Sequence, residues 1–216
     1  MIHQETAVRI PVGGIVVEGN LTIPFSAKGI VLFAHGSGSS RFSSRNRYVA
    51  KVLNAQKIAT LLFDLLTNEE DQQDLVTAEY RFNINLLAER LIGATEWLKK
   101  DPQTKNYSFG YFGASTGAAA ALIAAAKLPN DIVAVVSRGG RPDLAADYLP
   151  RVAARTLLLV GGLDTEVIEL NRQAMALMSA EKKLVIVPGA THLFEELGKL
   201  EEVAKLAADW FLRYLR

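Results

Sequence analysis

Short apolar runs rich in β-branched residues recur along this chain, each followed by a longer stretch with helical periodicity. That alternation limits the fold more than any other feature. Gly29 to Ala34 (GIVLFA) is apolar throughout, as a strand buried on both faces must be. Ile58 to Phe63, Tyr107 to Phe112, Ile132 to Val136, Thr156 to Val160 and Leu184 to Val187 read the same way. Between them, helical patterns cover 45–56, 77–100, 115–127, 166–179 and 197–214. Strand followed by helix followed by strand predicts parallel pairing with crossover helices. The expected class is α/β, a doubly wound, mostly parallel sheet with helices on both faces. Gly14 to Ile23 is expected as a strand pair or one long strand with a turn at Gly19-Asn20, adding two antiparallel strands at the N-terminal edge. Ligands of such sheets bind at the carboxyl ends of the strands. The loops after the apolar runs are therefore where chemistry is sought.

With 216 residues, half of them apolar and 22% charged, the chain fits one domain over 1–216 with a sizeable core. Its 24 basic residues nearly match its 23 acidic ones, which gives no reason to expect nucleic acid or an anionic membrane as partner. There is no cysteine, so disulfides, thiolate metal sites and a cysteine nucleophile are excluded. Met1 to Arg9 lacks the apolar core of a secretory signal. The longest uncharged run of small and apolar residues, Gly117 to Ala126, has about half the length a bilayer requires. These features lead to the expectation of a soluble, cytoplasmic protein, and they leave the oligomeric state open.

Four loops carry the chemistry. Gly113-Ala114-Ser115-Thr116-Gly117 stands between a strand and an Ala-rich helix, which is the setting of a G-x-S-x-G nucleophile elbow. A sharp turn there strains the serine backbone, and the flanking glycines avoid collision with strand and helix. Asp164, in Val160 to Glu166 (VGGLDTE), follows a strand and can orient a histidine or cap the helix behind it. His192 lies in a loop past the strand at Leu184 to Val187. Only two other histidines exist: His3 in the N-terminal segment and His35 in a Gly-rich loop. Ser115, Asp164 and His192 thus occur in the chain order expected of an α/β-hydrolase triad. In Leu32 to Ser40 (LFAHGSGSS), the glycines let backbone N–H groups approach a substrate. The oxyanion donors are expected to be the N–H groups of Thr116 and Ser37. A phosphate loop is disfavoured, because the Walker lysine and the third glycine of a dinucleotide fingerprint are both missing.

Taken together, HGSGSS from His35, GASTG from Gly113, GGLDTEV from Gly161 and GATHLF from Gly189 resemble the α/β-hydrolase superfamily, and within it the dienelactone-hydrolase-like branch. The resemblance implies a small hydrolase with no metal or organic cofactor, acting on a small-molecule ester. The chain departs from authentic dienelactone hydrolases in carrying Ser115 where those enzymes look to a cysteine. That departure points to an esterase, thioesterase or lactonase. An acyltransferase using the same triad and a non-catalytic binding module on the same fold stay open as alternatives. The segment after Ile132 to Val136 has room for only a short helix, so no large lid and an open site are expected. Its Arg138 and Arg141, with His35 and Gly36 of the Gly-rich loop, are candidate substrate contacts. Either arginine could grip a carboxylate or phosphate, and either could instead pair with Asp143 or Asp147.

Overall fold

The computed structural model describes residues 5–215. One eight-stranded sheet organises them, in the order β1-β2-β4-β3-β5-β6-β7-β8. The strands are β1 (Glu5–Val12), β2 (Ile15–Thr22), β3 (Gly29–Ala34), β4 (Ala59–Phe63), β5 (Ser108–Ala114), β6 (Ile132–Arg138), β7 (Arg155–Gly161) and β8 (Lys182–Val187). The pairs from β4 through β8 are all parallel, while β1 with β2 and β2 with β4 are antiparallel. This is the expected mostly parallel sheet with an antiparallel N-terminal edge.

Side-chain alternation on the central strand sorts the helices. Ile30, Leu32 and Ala34 of β3 belong to a core that includes Leu87, Leu91 and Ala94 of α3 (Ile84–Lys100) and the alanines of α4 (Thr116–Lys127). Val31 and Phe33 point the other way, with Val49 and Leu53 of α1 (Ser44–Ala55) and Ala207 and Phe211 of α6 (Lys199–Tyr214). Residues 116–125 of α4 are all buried. Alanine suits that position because it fills little space and loses no side-chain entropy in a helix. Between β7 and β8 runs α5 (Thr165–Leu177). The connection from β6 to β7 holds only a 3₁₀ helix, Pro142–Arg151, so among the described residues this connection inserts no large lid. Among the described residues, no helix is long and apolar enough to cross a membrane.

Two stretches differ from the sequence reading. The N-terminal turn falls at Gly13-Gly14, both at positive φ, and not at Gly19-Asn20. Gly-Gly is a favoured pair in such two-residue hairpin turns. Gly19 sits inside β2 opposite Phe63, where a Cβ would meet the Phe63 Cβ at 3.0 Å, so that glycine serves packing. The expected helix 77–100 begins only at Ile84, capped by the Asn83 side chain. A separate helix, α2 (Asn68–Thr77), precedes it, with a reciprocal capping box between Thr67 and Glu70. Only Asp74 of α2 is buried, so it carries no apolar stripe to read. Asp74 ends α2 by accepting from the N–H groups of Tyr80 and Arg81 and from the Arg81 side chain.

The packing of α4 leads to a prediction. Ala120→Leu should lower stability by about 1–3 kcal/mol, the usual penalty of overpacking a filled core. Ala126→Leu, on the half-buried end of the same helix, should change it by less than about 1 kcal/mol. Urea unfolding of both variants measures the contrast.

Candidate active site

Ser115 stands between β5 and α4 with φ 50° and ψ −121°, a positive φ that non-glycine residues rarely adopt. The chain on either side is tightly packed. A Cβ on Gly117 would lie 2.2 Å from the Ala34 carbonyl oxygen, and one on Gly113 would lie 2.4 Å from the Ala118 Cα. Both glycines let backbone segments approach where any side chain would collide. Ser115 consequently precedes the first turn of α4, with the positive end of that helix beneath it. Its hydroxyl makes no capping bond.

Asp164 and His192 follow the ends of β7 and β8, two and three strands along the sheet from β5. Asp164 occupies the N-cap position of α5, yet its side chain makes no capping bond. Its Oδ2 instead lies 2.6 Å from His192 Nδ1. His192 Nε2 is thereby left without a protein partner among the described residues. Glu195 and Glu196, the other carboxylates near this histidine, are engaged elsewhere. Glu195 accepts from Arg45 Nη1 at 2.9 Å, and Glu196 accepts from the Thr191 N–H.

Ser115 and His192 line one cavity of about 230 Å³, together with Gly36, Ser37, Arg45 and Arg138. The loop after β3 forms its other wall. That loop is held down by Arg41, which bonds the carboxylates of Asp64 and Glu18 and the Asn20 side chain. His35 fastens it further. The His35 Nδ1–H donates to the Gly36 carbonyl at 3.0 Å, and Nε2 accepts from the Leu65 N–H at 3.1 Å. Burial lowers the His35 pKa below its usual value, against smaller opposing effects of the Gly36 carbonyl, Asp64 and Asp71. His35 is thus a neutral tie between two loops. With both ring nitrogens occupied, it is not placed to contact a substrate as the sequence reading had it.

Two further expectations meet a different geometry. The Ser37 N–H, expected as a free oxyanion donor, donates to Thr116 Oγ1 at 3.0 Å. The Thr116 N–H, at the start of α4, is among those a helix leaves without an intrahelical acceptor. Arg141 does not turn its side chain to the cavity. Its guanidinium pairs with Asp143 through two bonds of 2.9 and 2.7 Å, the local pairing that its spacing also allowed. Arg138 does line the cavity, and so do Ser43, Arg45 and Asn46 at the start of α1. The last three were missed from sequence. A polar first helical turn reads as a solvent face, and only the fold turns this one inward. His3 lies outside the described residues.

A doubly wound sheet with no large lid between β6 and β7, with a serine elbow and a carboxylate-bound histidine at its carboxyl edge, defines an α/β-hydrolase fold. Residues 21–216 match the model of the dienelactone hydrolase family, and the chain belongs to that family. It is 59% identical to a dienelactone hydrolase from Anabaena variabilis, whose crystal structure superposes with a TM-score of 0.98 over 99% of both chains. Est1E from Butyrivibrio proteoclasticus shares the fold at 17% identity, with a TM-score of 0.80 over 96% of this chain and 98% of that one. Over 212 residues the chain is 56% identical to a Mycobacterium tuberculosis protein named "Putative phosphoribosyl transferase". That match takes in 98% of this chain but 47% of the mycobacterial one, so the chain spans about half the length of the curated relatives it matches.

The state of His35 gives a pH prediction. Its folded pKa lies below the unfolded value of about 6.5, so the folded state resists the proton that the unfolded chain accepts. The stability this contributes is complete above about pH 6.5 and is lost as the pH falls below it. Unfolding free energy should therefore drop between about pH 6.5 and 5. In His35→Gln, urea titrations at several pH values should show a lower starting stability and a shallower drop over that interval.

Proposed function

We propose that this chain is a serine hydrolase of small carboxylic ester-type substrates, with Ser115 as nucleophile, His192 as general base and Asp164 as the residue that orients the imidazole. The observation that carries this reading is the combination of a strained serine at a helix N-terminus and a histidine in the same cavity, with Asp164 2.6 Å from Nδ1. Three residue types drawn from three strand ends have no packing reason to converge at the edge of one cavity.

The reaction runs in two halves. His192 Nε2 takes the Ser115 proton as the oxygen attacks the ester carbonyl. Asp164 holds the other ring nitrogen protonated and stabilises the imidazolium that forms. The Thr116 N–H and the α4 dipole stabilise the tetrahedral oxyanion. Ser37 supplies the second donor once the Thr116 hydroxyl rotates away from it. Until then its N–H has a partner and is not left buried and unpaired. His192 returns the proton to the leaving alcohol, and water repeats the sequence on the acyl-enzyme. No step requires a metal or an organic cofactor.

The name of the mycobacterial relative describes a protein about twice this length. The match takes in less than half of that protein, so the transferase activity in its name is not carried over to this chain.

Esters of p-nitrophenol with graded acyl length test the reading. Ser115→Ala should lower kcat by roughly 10⁴ to 10⁶. Asp164→Asn should lower it by roughly 10⁴ through the wrong imidazole tautomer. Since the Asp164 side chain makes no capping bond, this variant should keep its melting temperature. Full activity in Ser115→Ala contradicts the mechanism. An active Asp164→Asn enzyme removes Asp164 from it.

A further inference from the structure

One charged side chain in this cavity has no role in the reaction above. Arg138, the last residue of β6, is 6% exposed, and its Nε and Nη1 have no hydrogen-bond partner. Among the described residues no carboxylate forms an ion pair with it. The charge that acts on it is another cation, Arg45. Burial first, and Arg45 second, lower its pKa to about 10, so it remains a cation at neutral pH. A buried charge without a partner is costly to the fold, more so than an apolar side chain of the same size. Such a group is retained where something other than the protein neutralises it.

The surroundings describe what that is. Arg45 lines the same cavity. Its Nη1 goes to the exposed Glu195, while its Nε is buried and unpartnered. Asn46 beside it is 2% exposed, with Oδ1 unpartnered. Ser43 caps α1 by accepting from the Asn46 N–H, and Ser43, Arg45 and Asn46 all line the cavity. The positive end of α1 therefore adds to the two guanidinium groups. No acidic residue is among those lining the cavity.

We propose that Arg138 and Arg45 form an oxyanion-binding subsite beside Ser115, and that the substrate is a small ester bearing a phosphate group that seats there. The two arginines that line the cavity arrive from different elements, β6 and α1. A planar carboxylate is matched by a single fork. A phosphate monoester offers three oxygens and nearly two charges, enough for both groups at once. Arginine rather than lysine fits the role, since its rigid fork holds several oxygens in place.

The ester part of the proposal rests on the hydrolase reading, whereas the subsite can be tested without turnover. Phenylphosphonate, benzoate and benzamide are matched probes, to be titrated calorimetrically into the full chain. They are also to be tested as inhibitors of p-nitrophenyl acetate hydrolysis. Phenylphosphonate should bind at least tenfold tighter than benzoate, benzamide should bind weakest, and the inhibition should be competitive. Arg138→Met should weaken phenylphosphonate at least tenfold, and Arg138→Lys should not restore it. Without ligand, Arg138→Met should melt no lower than the parent, because it removes an unpaired buried charge. Arg45→Met should weaken phenylphosphonate by a smaller factor, and it carries the test alone if Arg138→Met does not fold. Benzoate binding as tightly as phenylphosphonate overturns the phosphate assignment. Equal affinity for benzamide, non-competitive inhibition, or undiminished affinity in both variants overturns the subsite. A chain that hydrolyses no ester yet binds phenylphosphonate through Arg138 refutes the hydrolase reading alone.

Discussion

Ser115, at positive φ, stands between two close backbone approaches that only glycine permits, Gly113 against α4 and Gly117 against the loop after β3. The rest of the site follows from that elbow. Because Gly117 brings α4 against the Ala34 and His35 carbonyls, the Thr116 hydroxyl reaches the Ser37 N–H and fixes the Gly-rich loop. His35 then ties that loop to Leu65 after β4, and Arg41 ties it to Asp64. Strain in one residue is thus absorbed by contacts spread over three strand ends, as strained positions at functional sites require.

The sheet supplies the remaining geometry at little cost. Parallel strands β5 to β8 place the residues that follow them along one edge, so Ser115, Arg138, Asp164 and His192 approach one another without long excursions of the chain. The wide separation of these residues in sequence is a consequence of the crossover helices. Two opposite electrostatic situations coexist at this edge. His192 is matched to a carboxylate, whereas Arg138 is buried against another cation. The first arrangement is complete within the protein and the second is complete only with an anion bound.

Much of this was legible in the sequence, for a physical reason. Strands buried on both faces must be apolar throughout, so β3 to β7 announce themselves, and Ser115, Asp164 and His192 stand out as polar residues just past them. What escaped reading lacked such a signature. α2 has no apolar stripe, and β1 alternates polar and apolar residues as an edge strand does. The occupancy of the Ser37 N–H and the neutrality of His35 depend on distances between loops far apart in sequence. Arg138 and Arg141 look alike in the sequence. The fold separates them, because Asp143 is within reach of one and the other is buried at a strand end.

The central claim is that Ser115 is a nucleophile activated by its surroundings and not merely a small residue in a tight turn. Treatment of the chain with a fluorophosphonate, followed by mass analysis of its tryptic peptides, tests this most directly. The account predicts one adduct per chain, on Ser115 within the peptide spanning 106–127, and its loss when His192 is replaced by alanine. Absence of an adduct, or an adduct on another serine, would contradict it.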